Sequence, residues 1–228
     1  MVVTKPVQFG EIVRARAMMY STLAAIFNTR PDRALVSNLV AAGPGFFADL
    51  AEAVGGNPDA QKGISEISRF VGQAKDLPIE DVEMSLRVDW TRLFRGVQPG
   101  YGPIPPYEGL YVDQGENDFE AMQAVAAFYA GYDMLPHENA GNRPDYAGLE
   151  LEFLRCVCEQ QAEAREKGEN ELSEKWQSAE RGFISAHLGR WGPAYCDCAI
   201  EEAKTDFYRG FARLTKGLLE ELAENPRP

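Results

Sequence analysis

Apolar residues recur at steps of three and four along nearly the whole chain, and strand-like alternation is almost absent. One face of an α-helix collects positions i, i+3, i+4 and i+7, so the pattern commits the chain to packing helix on helix. Ile12, Met19, Leu23 and Ile26 keep that spacing over 11–27, and Pro31 stops it. Leu35, Leu39 and Val40 predict a second helix closed by Gly43-Pro44-Gly45. Phe46, Leu50 and Val54 predict a third, ending at Gly55-Gly56-Asn57-Pro58. Ile64, Ile67, Phe70 and Val71 fit a fourth. Val82, Leu86, Trp90, Leu93 and Phe94 fit a fifth, opened by the acidic Glu80 and Asp81. Asn117 with Glu120 reads as a capping box for a helix lined by Met122, Val125, Ala126 and Tyr129, with Gly131 as its stop. Asp145 is placed to N-cap the next helix, which carries Leu149, Phe153 and Leu154 on one side. Leu172, Trp176, Ala179, Phe183 and Ala186 form one further stripe, and Phe207, Phe211, Leu214 and Leu218 another. The expectation is an all-α protein of about nine to eleven helices in one domain over 1–228. A hinge between its two helical halves would fall around 113–145.

Composition narrows the function classes. A chain of 228 residues buries roughly 70% of its unfolded surface and needs neither disulfides nor metal to fold. A pI near 4.7 and a net charge of −12 disfavour contact with a phosphate backbone, so no nucleic-acid partner is expected. Glu11, Arg14 and Arg16 interrupt the N-terminal apolar run, and no stretch approaches the roughly 18 apolar residues of a membrane span. The chain reads as soluble and cytoplasmic, without membrane insertion. Cys156 with Cys158, and Cys196 with Cys198, form C-x-C pairs whose members on a helix point about 200° apart. They read as reduced thiols, with Cys196, Cys198 and His187 as the metal-binding alternative. His187, four residues after Phe183, reads as a hydrogen-bonded and partly buried histidine, and His137 as a solvent-exposed loop residue. Glu150 and Glu152 also point about 200° apart on a helix, which excludes joint acid–base action on one atom. No nucleophile elbow, Walker loop or dinucleotide fingerprint occurs. The expectation is a non-enzyme without a cofactor. A helical metal- or nucleotide-dependent enzyme and a regulatory subunit of a redox complex are the alternatives.

The segment 90–113, WTRLFRGVQPGYGPIPPYEGLYVD, singles itself out. An apolar helix end runs into a loop with prolines at 99, 103, 105 and 106 and tyrosines at 101, 107 and 111. Stiff loops lose little freedom on binding, and tyrosine offers flat apolar area with a polar tip. From Tyr101 to Glu152 there are ten Asp or Glu against one basic residue, Arg143, about −9 of the formal −12. A rigid, aromatic, negative surface suits a positively charged peptide. Trp90, Leu93 and Phe94 on one helix face read either as core or as the floor of a groove rimmed by the proline loop.

These residues also carry a resemblance. R-x-D-W-x-R-L-F-x-G from Arg87 to Gly96, P-P-Y-E-G-L-Y from Pro105 to Tyr111, and R-P-D-Y-A-G-L-E-L-E-F-L from Arg143 to Leu154 follow one another in order. With R-x-x-M-Y-x-x-L-A-x-I-F near the N-terminus and F-I-S-A-H-L-G-R-W from Phe183 to Trp191, the chain resembles the TorD/DmsD/NarJ family of redox-enzyme maturation chaperones. The resemblance implies an all-helical cytoplasmic protein. It implies binding to the twin-arginine leader, or another terminal segment, of the precursor of a molybdenum-cofactor oxidoreductase catalytic subunit until the cofactor is inserted. The implied peptide-binding set is Trp90, Leu93, Phe94, Pro105, Pro106, Tyr107, Tyr111, Pro144, Asp145, Tyr146 and Glu150. Two positions depart from the family pattern: Tyr146 stands where the family usually has histidine, and Glu108-Gly109 where it has serine after the aromatic. Both a monomer and a helix-swapped dimer fit the resemblance.

Overall fold

The computed structural model describes residues 9–47, 57–96, 100–112, 118–134 and 141–224. Helices are α1 Phe9–Asn28, α2 Arg33–Ala42, α3 Pro58–Ala74, α4 Ile79–Phe94 and α5 Glu108–Tyr111. They continue as α6 Asp118–Ala130, α7 Ala147–Glu166, α8 Asn170–Ala186, α9 Leu188–Glu202 and α10 Asp206–Glu224. Among the described residues there is no strand, only an isolated antiparallel bridge between Tyr107 and Tyr146. The expected all-α class is what is found. The third expected helix survives as a 3₁₀ turn at Pro44–Phe47, and its remainder lies outside the described residues. So do Asn117, His137 and, within the expected hinge, residues 113–117 and 135–140.

The starts obey local chemistry. Asp32 and Asn57 accept from the backbone N–H of Leu35 and Ala60, and Pro58 occupies the first turn of α3. Glu80 and Asp81 sit in the first turn of α4, as read from the sequence. The capping of α10 comes from another helix: Asp89 of α4 accepts from the Lys204 and Thr205 N–H groups and from the Thr205 hydroxyl at 2.8 Å.

Packing is dominated by pairs remote in sequence. α1 lies along α7, α3 along α10, and α9 joins α10 to α8. The α3–α10 approach requires two facing glycines. A Cβ on Gly63 would stand 2.4 Å from the Gly210 carbonyl oxygen, and one on Gly210 would stand 2.4 Å from that of Gly63. A single apolar cluster then runs from Val13 to Leu219 through nearly every helix. This core fixes the ends of α4, α7 and α9, and thereby the loops between them.

Candidate functional site: a guanidinium cage between two loops

The two loop motifs meet edge to edge. Glu108 N–H donates to the Asp145 carbonyl at 2.9 Å, and Ala147 N–H to the Pro106 carbonyl at 2.9 Å, on either side of the Tyr107–Tyr146 bridge. Prolines 105 and 106 have no N–H to offer, and the Tyr107 and Tyr146 N–H groups turn back within their own loops to the Pro105 and Arg143 carbonyls, so the two crossing bonds come from Glu108 and Ala147.

At this junction the Arg143 guanidinium is held between two carboxylates. Nε donates to Asp145 Oδ1 at 3.0 Å and Nη2 to Oδ2 at 2.6 Å. Nη1 donates to Asp118 Oδ2 at 2.8 Å, and Nη2 also reaches Oδ1. The Tyr107 ring forms the floor, 5.1 Å from the guanidinium carbon, a cation–π distance. Gly109 closes the cage: its N–H donates to Asp145 Oδ2 at 3.1 Å, and a Cβ there would collide with the Asp118 carboxylate. The side chains of Arg143 and Asp118 are about a third exposed, at 35% and 37%, while Asp145 is fully buried. Hydrogen bonding to Asp118, then to Asp145, raises the Arg143 pKa, and the reciprocal bond from Arg143 lowers that of Asp118.

A second layer of acid lies beneath. His187 Nδ1 stands 3.0 Å and 3.2 Å from the two Glu108 oxygens, its ring against Phe183 and Phe128. Trp191 Nε1 donates to Glu150 Oε2 at 3.3 Å, and Glu150 Oε1 is buried without a partner. Burial, then the charge of Glu108, pushes the Glu150 pKa well up, and the indole hydrogen bond only partly opposes this.

Several expectations are corrected here. Trp90, Leu93 and Phe94 are core rather than the floor of an open groove. Trp90 Nε1 donates to the Ile26 carbonyl at 3.1 Å, and Phe94 packs on Phe27 at 4.9 Å. Tyr146 is fully buried, its hydroxyl on the Phe27 carbonyl at 2.7 Å, and Pro106 and Glu150 are buried as well. Asp145 does not cap α7, because Arg143 and Gly109 take its oxygens and Tyr146 stands at the N-cap without a side-chain bond. The window 101–152 is therefore not a continuous negative surface: Glu108, Asp145 and Glu150 point inward and Asp118 is paired, while Asp113, Glu116 and Glu138 lie outside the described residues. Tyr111 is half-buried rather than exposed, its ring 5.5 Å from Trp191 and its hydroxyl on the Ile104 carbonyl. Of the implied set, Pro105, Tyr107 and Pro144 remain half-buried at the rim. His187 is the hydrogen-bonded, largely buried residue that was expected. Among the described residues no cluster of three His, Cys, Asp or Glu can hold a metal, and Cys196 is buried while Cys198 is exposed.

The rim opens on a cleft of about 640 Å³ lined by Asn28, Arg95, Asn142, Leu149, Glu152 and Arg155. Asn142 Oδ1 accepts from Arg95 Nη1 at 3.0 Å and from the Tyr107 hydroxyl at 3.4 Å, which joins cleft to cage. Sequence reasoning missed Arg143 and Asn142 as site residues. The available signal was that Arg143 is the one basic residue in a strongly acidic window.

Residues 57–197 match the model of the nitrate reductase delta subunit family, a span that contains the whole cage. The chain belongs to this family. It is similar to a chaperone protein TorD of Vibrio cholerae, 22% identical over 175 residues, which is 76% of this chain and 77% of that protein. It is also similar to a chlorate reductase assembly chaperone protein of Ideonella dechloratans, 32% identical over 111 residues, 49% of this chain and 55% of that one. A selenate reductase assembly chaperone protein of Thauera selenatis is 32% identical over 97 residues, 42% of this chain and 48% of its own. The family member described here is thus akin to chaperones of reductase assembly. No described helix is long and apolar enough to cross a membrane.

Proposed function

We propose that this protein is a cytoplasmic maturation chaperone that holds an arginine-bearing terminal segment, of the twin-arginine type, of a molybdenum-cofactor oxidoreductase catalytic subunit. The observation that carries the reading is the cage: two carboxylates and a tyrosine face already arranged around a guanidinium. In the free chain Arg143 fills it, so the buried Asp145 is never left uncompensated, an otherwise costly state. A client arginine enters as Arg143 swings out to water. The same bidentate bonds re-form, so net affinity comes from the rest of the segment on Tyr107, Pro105, Pro144 and the neighbouring cleft.

Placeholder and contact residue have opposite signatures. If Arg143 competes with the client, apparent affinity is reduced by the fraction of time the cage is closed. Arg143→Ala should lower stability by about 2–3 kcal/mol, less than for a fully buried pair because Arg143 is partly exposed. It should nevertheless bind a twin-arginine peptide about tenfold more tightly in calorimetric titration, since the closed state no longer competes. Replacing both peptide arginines by lysine should weaken binding to either protein, because a lysine cannot make the forked contact. Equal or weaker peptide binding by a folded Arg143→Ala protein would make the cage a structural ion pair only. Capture from native cytoplasm tests the client independently, with an oxidoreductase precursor as the expected catch.

A further inference from the structure

Beside the cage, a second guanidinium lies on a second aromatic face. Arg95, which caps the end of α4, has its guanidinium carbon 4.6 Å from the centroid of the Trp90 ring. Its Nη1 donates at 3.0 Å to Asn142 Oδ1, the oxygen that also accepts from the Tyr107 hydroxyl. Arg143, the residue after Asn142, repeats the arrangement over the Tyr107 ring and between its two carboxylates. Burial raises the Tyr107 pKa, and the charges of Arg95 and Arg143 both pull against it, so the two guanidiniums flank one phenol.

A cation is favoured at a helix C-terminus, which accounts for a basic residue at 95 but not for the stack or the amide bond. Arg95 is exposed and lines the cleft, while the Trp90 ring beneath it is buried. A neutral amide oxygen and one cation–π contact hold Arg95, a weaker grip than the two carboxylates around Arg143. With Arg95 swung out to water, an indole face and an amide oxygen open onto the cleft. The other charges lining the cleft, Glu152 and Arg155, pair with each other and leave no net charge there to repel a cation.

We infer that the Trp90 face and Asn142 Oδ1 form a subsite for the second arginine of the client pair, which Arg95 fills in the free chain as Arg143 fills the cage. The inference rests on the chaperone reading above and deepens it: two arginines are read at two places, each closed by one of the chain's own. Adjacent residues of an extended segment point to opposite sides, so neighbouring arginines suit two separate subsites rather than one. Lysine suits neither, because it lacks the planar group that stacks on a ring while donating sideways.

The test is calorimetric titration of the full chain with a twin-arginine peptide and the two versions of it that carry a single lysine. Arg95→Ala should bind the twin-arginine peptide about fivefold more tightly than the parent, a smaller gain than for Arg143→Ala because Arg95 is held more loosely. One single-lysine peptide should lose the Arg95→Ala gain and keep that of Arg143→Ala, and the other should do the reverse. Acrylamide quenching of tryptophan fluorescence should rise in Arg95→Ala as Trp90 is uncovered, and return to the parental level at saturation with the twin-arginine peptide. Arg95→Gln keeps a donor for Asn142 but loses the planar stack, and should show the same selectivity if the alanine variant melts early. Equal or weaker binding by both Arg95 variants, with the Arg143→Ala gain intact, would overturn this subsite and leave the cage. The same lysine position cancelling both gains would overturn it too. No gain from any variant would remove cage and subsite together.

Discussion

Glu150 shows how much of this site is set by single side chains. Its folded-state pKa lies well above the usual carboxylate range because burial, and then the Glu108 charge, disfavour ionisation. Between the unfolded and folded values the folded protein binds the extra proton, so stability falls as pH rises through that window. Each unit by which the pKa is raised corresponds to about 1.4 kcal/mol lost once pH exceeds the folded value. Glu150→Gln keeps an acceptor for the Trp191 indole and cannot ionise. It should therefore raise the melting temperature at pH 8 more than at pH 5, by about 2–4 °C per kcal/mol recovered. An equal change at both pH values would mean that Glu150 does not titrate out of step with the unfolded chain. The residue types of this site were more legible in the sequence than their partners. Asp145 was placed as a helix N-cap and as one of the implied peptide-binding residues, yet its partner in the free chain is Arg143, two positions before it. That pairing depends on the turn at 143–146 and on Asp118 arriving from α6, and spacing alone conveys neither.

At the scale of elements, the periodic stripes were legible and their neighbours were not. Trp90, Leu93 and Phe94 do share a face, but α1, which covers it, lies some sixty residues away in sequence, so core and groove floor looked alike. Helix α9 escaped a periodicity argument because Gly189, Gly192 and Pro193 crowd its first turns. The α3–α10 contact was equally hidden, since nothing local announces that Gly63 and Gly210 face each other. Alanine at either position gains up to about 1 kcal/mol of intrinsic helix propensity. A methyl 2.4 Å from a carbonyl oxygen forces the helices apart, which should outweigh that gain. Gly210→Ala is expected to destabilise by about 2–4 kcal/mol in urea unfolding. Adding Gly63→Ala should cost less than its own single-variant effect, because the separation has already been made. A stabilised Gly210→Ala protein would show that the close approach is not required.

For the whole molecule, charge and chain order matter most. If one arginine replaces another in the cage, the number of ion pairs hardly changes on binding. The salt dependence of twin-arginine affinity should then be shallow in the parent and steeper in Arg143→Ala, where a new pair forms outright. Parallel slopes would argue against exchange. The pairing of α3 with α10 has a further consequence, for synthesis. Residues 75–205 separate the end of α3 from the start of α10. At about 5–20 residues per second, a ribosome takes on the order of ten seconds to add them. Throughout that interval Ile64, Ile67 and Val71 have no α10 to lie against. A nascent chain of this protein therefore carries a bare apolar helix face until its last helix is made, and stalled or truncated translation ending before Asp206 would leave that face uncovered.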